Sequence, residues 1–187
     1  MQITNSILMV RPVNFRMNEQ TAVNNYFQED LHLRNSVINR QAQEEFDAFV
    51  EKLREAGVEV IVVEDRVETD TPDSIFPNNW VSFHENASVV VYPMFAENRR
   101  RERREDVFDL LEAEGFRIDQ IVDYTAAEAE GYFLEGTGSI IMDRVHQKAY
   151  CALSDRADED LFIEFCEDFE VFPVIFTAYQ SVDGERK

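Results

Sequence analysis

The sequence is poor in the residues that build metal sites, disulfide frameworks and membrane spans. Its 187 residues include only two cysteines and three histidines. Two cysteines make neither a disulfide framework nor a zinc site, and the histidines are too scattered to suggest a metal cluster. No apolar run approaches the roughly 20 residues that cross a bilayer. These absences argue against a metalloprotein, a disulfide-rich secreted protein and a membrane protein.

Positive charge is also scarce. The 18 lysines and arginines stand against 38 aspartates and glutamates, so the formal net charge is -20. A polyanion of this kind repels nucleic-acid phosphates and anionic membrane surfaces, and we expect neither as a partner. Residues 1–15 lack the basic-then-apolar order of a signal peptide, so we expect a cytoplasmic protein.

Core-forming residues, by contrast, are abundant. Apolar residues make up 44% of the chain and include 15 phenylalanines and six tyrosines. This composition excludes intrinsic disorder and suits one domain, or a large fragment of one. The hydrophobic period changes repeatedly between that of a strand and that of a helix, which predicts an α+β fold.

The first third of the chain is predicted to form a strand, a helix and a second strand. Their predicted ranges are 6–12, 39–56 and 58–63. Apolar residues at helical spacing place one face of the helix toward the core. The residues on this face are Phe46, Phe49, Val50 and Leu53.

Two later segments repeat one order of elements, which is a hairpin of two strands, a helix and a third strand. The predicted ranges are 80–84, 88–93, 98–114 and 118–123, then 139–143, 148–153, 155–168 and 171–178. Val81 aligns with Ile140, and Val91 with Cys151. This repetition predicts two ββαβ units, preceded by a less regular one, in a propeller-like or solenoid array. The alternative is an ordinary α/β sandwich whose repetition is accidental.

A polar loop, TPDSIFPNNW, precedes the first of these hairpins. It offers Asp73, Asn78 and Asn79 at the end of a predicted sheet, where ligands of α/β proteins tend to bind. Carboxylate and amide groups at this spacing suit a polar ligand. The ordinary alternative is a turn at the two asparagines with Asp73 as a cap.

A second polar loop, in YFLEGTGSIIMDR, occupies the equivalent position before the second hairpin. Glu135 follows two large apolar residues, so we expect its carboxylate to be partly buried and to need a cationic partner such as a guanidinium. The alternative is a solvated loop glutamate. Repeat symmetry would bring the two loops to one end of the array, where two acidic loops would form a pocket for a cation.

Two arginines lie at equivalent helix starts in successive units. Arg99 belongs to the basic run NRRRERRE, and Arg156 to SDRAD. Two guanidinium groups there could hold a carboxylate in paired hydrogen bonds. The alternative is that both are surface arginines. Cys151 and Cys166 fall on inward positions, which predicts core thiols instead of nucleophiles.

Together these motifs resemble the guanidine-modifying, or pentein, superfamily. The motifs are DSIF with the following NN, LEGTGS, and LSDR. The opening ILMVRPVNF, with PNNW and LEGTGS, is most similar to an amidinotransferase-related branch that includes citrulline-utilisation hydrolases. The resemblance implies a fivefold α/β propeller of ββαβ units with the substrate on its axis. It also implies a cofactor-free covalent mechanism, in which a cysteine thiolate attacks the guanidino or ureido carbon and a histidine transfers protons.

The resemblance also implies roles for the candidate residues in binding an arginine- or citrulline-like amino acid. Asp73 would bind the guanidine side, and Glu135 would partner the catalytic histidine and a substrate nitrogen. The α-carboxylate would be held by Arg156 and Arg99. Arg100 is an alternative to Arg99 for the position that matches the arginine of the family. Many relatives carry Glu-Asp where this chain has Asn78 and Asn79, and neutral amides favour a ureido or less cationic substrate.

One departure concerns the catalytic pair itself. In the resembled family the histidine follows shortly after a segment like DGERK, and the cysteine lies near the far end of the chain. This sequence has no counterpart of either residue, and Cys151 and Cys166 are not in the place of the nucleophile. We therefore expect a single incomplete propeller domain, residues 1–187, with units at about 1–70, 71–130 and 131–187, or about three of five units. We expect no hydrolysis by this chain alone. The alternative function is a non-catalytic fragment that binds an amino acid or self-associates through open strand edges.

Overall fold

Small β-sheets and short α-helices alternate along the chain in this computed structural model. The structure describes residues 3–23, 25, 28, 32–179, 181–182 and 185–186, so most of the DGERK segment lies outside the described residues. The helices are α1 (Asn35–Glu55), α2 (Glu97–Arg100), α3 (Asp106–Ala113), α4 (Gly136–Ser139) and α5 (Glu159–Asp168). The strands are β1 (Ser6–Arg11), β2 (Glu59–Glu64), β3 (Val81–Phe83), β4 (Ser88–Val91), β5 (Gln120–Asp123), β6 (Ile140–Asp143), β7 (Lys148–Ala152), β8 (Phe172–Phe176), β9 (Ser181–Val182) and β10 (Glu185–Arg186).

The chain divides into two compact units. The first unit comprises Ile3–Pro77 and Ala96–Gly115, and the second comprises Asn78–Phe95 and Phe116–Lys187. The predicted division into three repeat units along the sequence stays a prediction. Within the described ranges, no helix is long and apolar enough to cross a membrane.

In the first unit a parallel pair of strands lies between two helices. β1 pairs with β2 from Ser6 opposite Glu59 to Arg11 opposite Glu64. Side chains of α1 pack with one set of strand residues, and those of α3 with the alternating set. The buried members are Phe46, Val50 and Val60 on the α1 side and Val107, Leu111 and Val63 on the α3 side. Both helices place their buried residues four positions apart, which is one apolar stripe.

Two predictions for the helices of this unit were wrong. Phe49 was expected to face the core, but it is 53% exposed because the stripe through Phe46 and Val50 leaves it on the flank. The single helix predicted at 98–114 is instead two helices, α2 and α3, with residues 101–105 between them. The residues between the two helices make polar contacts instead of continuing the helix. Glu102 binds Arg99, and the Arg104 guanidinium donates to the Glu64 carbonyl at 2.7 Å.

The second unit contains two three-stranded sheets with the same strand order. In each sheet an antiparallel hairpin is followed by a strand parallel to its second member: β3-β4-β5 and β6-β7-β8. The hairpins begin with the pairs Val81–Val91 and Ile140–Cys151. These are the residues aligned by the sequence repeat, so the predicted order of strands in the two repeats is confirmed.

Helix α5 forms the core of the second unit. All four residues predicted to face inward, Leu161, Phe162, Phe165 and Cys166, are buried. They belong to one apolar cluster with residues of both three-stranded sheets, including Val90 and Tyr92 from the first sheet region and Ile140 and Cys151 from the second. Asp158 caps the helix, because its carboxylate accepts a hydrogen bond from the Leu161 amide at 3.1 Å. This packing fixes the loop that precedes α5 and carries Arg156.

Candidate functional site

The candidate residues form two separate polar clusters, one in each unit. The Asp73 centre, in the first unit, consists of Asp73, Asn18, Thr21, Arg99 and Glu102. The Glu135 centre, in the second unit, consists of Glu135, Asn79, Arg156 and the Phe95 amide. The expectation that the two loops meet on a common axis stays a prediction.

The Asp73 carboxylate is held by three side chains of the first unit. Its Oδ2 atom accepts hydrogen bonds from the Asn18 amide at 2.7 Å and the Thr21 hydroxyl at 3.3 Å, and lies 3.8 Å from the Arg99 Nε atom. A reciprocal amide contact with Asn98 holds Asn18 in turn, at 2.8 and 3.4 Å. These bonds fix the position of the Asp73 carboxylate.

Arg99 makes stronger contacts than the one with Asp73. Its Nε and Nη2 groups each donate to one oxygen of the Glu102 carboxylate at 2.9 Å, the fork geometry of a bidentate ion pair. The side chains of both residues are almost completely buried, 3% and 1% exposed. Nη2 also donates to the carbonyls of Phe76 at 3.2 Å and Asp73 at 3.4 Å. Arg99 therefore ties helix α2 to the loop that carries Asp73.

The Glu135 carboxylate is buried and is satisfied on both oxygens. The Phe95 amide donates to Oε1 at 3.2 Å, and the Asn79 side-chain amide donates to Oε2 at 3.0 Å. An Arg156 nitrogen, Nη1, lies 3.6 Å from Oε2. Glu135 is 1% exposed, so the expected partly buried carboxylate with a guanidinium neighbour is present. The backbone supports the contact, because the Glu135 amide donates to the Arg156 carbonyl at 3.0 Å.

The glycines of LEGTGS are required by this packing. Residues 136–138, expected as a loop, and Ser139, expected to begin a strand, form the single turn of α4. A Cβ atom at Gly136 would collide with the Asn78 carbonyl oxygen, and its φ of +29° is one that L side chains rarely adopt. A Cβ atom at Gly138 would lie 2.5 Å from the Asn79 side-chain nitrogen. The motif therefore lets α4 approach Asn79 closely enough for that amide to reach Glu135.

The two asparagines have different surroundings. Asn79 contributes its side chain to the Glu135 centre, whereas Asn78 is exposed and its carbonyl accepts a hydrogen bond from the Thr137 hydroxyl at 3.3 Å. Both residues lie in a 3-10 turn, Pro77–Asn79. The asparagine pair therefore forms the turn that was one of the two predictions, and Asn79 also donates its side-chain hydrogen bond to Glu135.

Neither cysteine has the environment of a nucleophile. Cys151 and Cys166 are buried, and burial raises the pKa of each thiol to about 11. A thiol with such a pKa is almost entirely protonated near neutral pH. The expected core role of both residues is thus the one that the structure supports.

Several polar residues of these clusters have no strong local signal in the sequence. Asn18 and Thr21 lie more than 50 positions from Asp73, a separation at which spacing carries no information. Glu102 could have been found, because it lies three positions after Arg99, a separation at which oppositely charged helical side chains can meet. The hydroxyl of Ser74, next to Asp73, is buried and has no hydrogen-bond partner among the described residues.

One family model matches almost the whole chain. The model for N,N dimethylarginine dimethylhydrolase, eukaryotic, matches residues 11–186. The chain belongs to this family. The resemblance to the guanidine-modifying superfamily is thereby confirmed. No curated protein matches the sequence.

Solved structures of related enzymes share the fold. The N-terminal domain of ArgZ bound to product, an arginine dihydrolase from the ornithine–ammonia cycle in cyanobacteria, is 17% identical, with a TM-score of 0.64 over 96% of this chain and 58% of that chain. A mutant dimethylarginine dimethylaminohydrolase from Pseudomonas aeruginosa, complexed with citrulline, is 15% identical, with a TM-score of 0.62 over 96% and 63% of the two chains. AgrE, complexed with ornithine and NAD+, is 18% identical, with a TM-score of 0.62 over 97% and 24%.

These likenesses establish the fold class. The neighbours are pentein superfamily members, so the expected α+β fold of the pentein type is confirmed. The chain spans about three fifths of the length of the ArgZ domain and of the Pseudomonas enzyme, 58% and 63%.

Proposed function

We propose that this chain carries the amino-acid-recognition residues of an enzyme that hydrolyses the guanidino or ureido group of an arginine- or citrulline-like amino acid. The observation that carries the proposal is the Asp73 centre. There a fixed carboxylate accepts two hydrogen bonds, and among the described residues its ion-pair contact is the 3.8 Å one with Arg99, so it can still accept from a ligand nitrogen. Membership of the dimethylarginine dimethylhydrolase family supports the same substrate class.

The proposed roles follow the family resemblance residue by residue. Asp73 binds the guanidino or ureido nitrogens, and Glu135 partners a substrate nitrogen and the catalytic histidine. Arg156 holds the α-carboxylate of the amino acid. Asn79 orients Glu135 through its 3.0 Å hydrogen bond, and the exposed Asn78 is the neutral neighbour that favours a less cationic substrate.

Arg99 is proposed as the second carboxylate-binding arginine by resemblance, but its contacts suggest a different use. Its Nε and Nη2 donors already bind Glu102 and loop carbonyls. Arg100, which competes for the register, is partly exposed. A comparison of Arg99→Lys and Arg100→Lys decides between them. Replacing the arginine that binds the α-carboxylate should weaken the binding of arginine but not of agmatine, the decarboxylated analogue.

The covalent chemistry needs a cysteine thiolate and a proton-transferring histidine. Cys151 and Cys166 are poor candidates because both thiols are buried and their pKa is raised to about 11. His84 is also unsuited, since burial and the Arg144 charge together lower its pKa to about 4. We therefore propose that the nucleophile is none of these residues. The same observation favours the second candidate function, a non-catalytic module that binds an amino acid.

The first test is ligand stabilisation. A ligand that binds the folded state raises the unfolding midpoint with concentration. We expect arginine or citrulline to raise the midpoint of the purified chain, and glutamate at equal concentration not to raise it. An assay for ammonia, ornithine and citrulline release then separates the two functions, because product formation supports the hydrolase and binding without product supports the module. Equal midpoints with all three amino acids would contradict both.

Location and assembly are also proposals. Both cysteines are free thiols, as is usual in a reducing compartment, and we keep cytoplasmic location as a proposal on that ground. Self-association through open strand edges stays a prediction, which sedimentation of the purified chain over a concentration series tests.

A further inference from the structure

Arg99 lies between two carboxylates of the first unit and binds them unequally. Glu102 receives two hydrogen bonds of 2.9 Å in the fork arrangement, whereas Asp73 lies 3.8 Å from the nearest guanidinium nitrogen. Charge-assisted bonds of this fork type are roughly twice as strong as neutral ones. Of these two carboxylates, Glu102 therefore has the stronger interaction with Arg99.

The charges of these three side chains do not balance. One guanidinium faces two carboxylates, and all three side chains are at most 13% exposed. Buried charges interact much more strongly than solvated ones, so the partition of the single positive charge matters. As long as Glu102 holds the guanidinium, the charge of Asp73 is offset mainly by hydrogen-bond donors.

The backbone reinforces the unequal partition. The Glu102 amide donates to the Arg99 carbonyl at 2.9 Å, so the two side chains leave the chain at neighbouring points of one turn. On the far side, Arg99 Nη2 donates to the carbonyls of Asp73 and Phe76. The Arg99 guanidinium thus binds the carbonyls of the loop that carries Asp73, while it forms its bidentate ion pair with Glu102.

We propose that Glu102 is a positioning residue, which binds Arg99 so that the negative charge of Asp73 stays available to a cationic ligand group. The inference rests on the proposed function, in which Asp73 binds the guanidino or ureido end of an amino acid. Glu102 itself touches no ligand in this account. It sets how strongly the centre prefers a charged guanidinium to a neutral ureido group.

The test compares arginine with citrulline, two ligands that differ in charge at this end. In the Glu102→Gln variant, Arg99 loses its charged partner and moves to Asp73. Calorimetric titration of the full chain should then show roughly tenfold weaker arginine binding, with citrulline affinity changed by less than about threefold. A residue that only supports the fold would weaken both ligands alike, and that result would overturn the inference.

Two further variants control the test. Glu97→Gln removes an exposed carboxylate from α2, the helix that carries Arg99, and we expect its arginine-to-citrulline affinity ratio to match that of the wild type. The double variant Glu102→Gln with Arg99→Gln removes the competing cation, and should recover the wild-type ratio. A ratio that stays low in the double variant would contradict the proposal, because the guanidinium that lies near Asp73 has then been removed.

A ligand-free measurement separates this inference from the proposed function. In a crystal structure of the Glu102→Gln variant we expect the distance from Arg99 Nε to Asp73 Oδ2 to shorten from 3.8 Å to about 2.9 Å. A guanidinium that stays on residue 102, with Asp73 unmoved, overturns the inference even if the wild type binds arginine. The other outcome combines two results: the Glu102→Gln variant shows the shortened distance, but the wild type binds neither arginine nor citrulline. That outcome overturns the proposed function and leaves the positioning role of Glu102 intact.

Discussion

A buried carboxylate such as Glu135 is tolerated because every side of it is satisfied. It accepts from the Asn79 and Phe95 amides and lies 3.6 Å from Arg156. Removing one member of such a group leaves the others desolvated and unpaired, which is costlier than losing a surface ion pair. The residue is therefore structural as well as a candidate for ligand binding.

Stability measurements isolate the structural role of Glu135 from its candidate role in ligand binding. We expect Glu135→Ala to lower the free energy of unfolding by about 3 kcal/mol, because donors at Asn79, Phe95 and Arg156 lose their acceptor. Urea denaturation at neutral pH measures the change. The control is Glu130→Ala, an exposed glutamate of the same unit, with an expected change within about 0.5 kcal/mol. Equal effects would show that the contacts around Glu135 add no net stability.

A partly buried histidine makes the second unit sensitive to acid. The His84 ring stacks on Phe169 with centroids 4.4 Å apart, and its nitrogens meet the Ser82 hydroxyl at 2.8 Å and Arg144 at 3.3 Å. Burial lowers the pKa of His84 to about 4, and the Arg144 charge acts in the same direction. The unfolded chain, with a histidine pKa near 6.5, binds the proton more readily than the folded chain.

The sign of the pH effect follows from that difference. We expect the free energy of unfolding to be highest above about pH 6.5 and to fall as the pH drops toward 4, with roughly 3 kcal/mol attributable to His84. Urea denaturation at several pH values measures the slope. His84→Asn should flatten it, whereas His146→Asn, which removes an exposed histidine, should not. An unchanged slope in His84→Asn would exclude the buried ring as its source.

At the scale of single elements, the amphipathic stripe of a helix decides which aromatic residues matter. Phe165 in α5 is completely buried, whereas Phe49 in α1 is 53% exposed. We expect Phe165→Ala to cost about 4 kcal/mol of unfolding free energy and Phe49→Ala less than about 1 kcal/mol. Chemical denaturation of the two variants measures both values. Similar losses would contradict the described packing of α1.

The turn α4 provides a second test at this scale. Gly138→Ala places a methyl group against the Asn79 side chain, which must move away from Glu135. We expect a loss of about 1–2 kcal/mol in unfolding free energy together with weaker amino-acid binding. Gly131→Ala is the matched control, because its Cβ atom meets open space and its cost comes only from the φ of +83°. Unchanged ligand binding in Gly138→Ala would argue against the role of Asn79.

Local patterns predicted the elements better than their ends and breaks. The two hairpins, β3-β4 and β6-β7, followed directly from the sequence pattern, since strand alternation and turn spacing are local properties. The break between α2 and α3 did not, because it depends on Glu102 returning to Arg99 and on Arg104 reaching the Glu64 carbonyl. The latter contact joins residues 40 positions apart, which no local window contains.

The candidate site was predictable in its loops but not in its supporting contacts. Asp73, Asn79, Glu135 and Arg156 were identified from motif and position, and the buried pairing of Glu135 with Arg156 agrees with the need of a buried charge for a partner. Asn18 and Thr21 were not predicted from the sequence, because their contacts with Asp73 arise only when distant segments pack together. The unequal sharing of Arg99 is likewise a property of the folded unit.

For the molecule as a whole, the net charge of -20 dominates the solution behaviour. Mutual repulsion of the acidic groups opposes the folded state and is screened within about 10 Å at 0.1 M salt. We expect the unfolding midpoint to rise by several degrees between about 10 mM and 200 mM sodium chloride. Differential scanning calorimetry checks this, and a midpoint that falls with salt would mean that attractive pairs outweigh the net repulsion.

The measurement that tests the central claim most directly is calorimetric titration of the chain with L-arginine, repeated with Asp73→Asn. The exposed variant Asp109→Asn removes the same charge from the same unit and serves as the control. We expect saturable binding to the wild type and to Asp109→Asn, and at least tenfold weaker binding to Asp73→Asn, whose carboxylate charge is lost while its shape is kept. Equal affinities for Asp73→Asn and the wild type would contradict the claim that Asp73 binds the ligand.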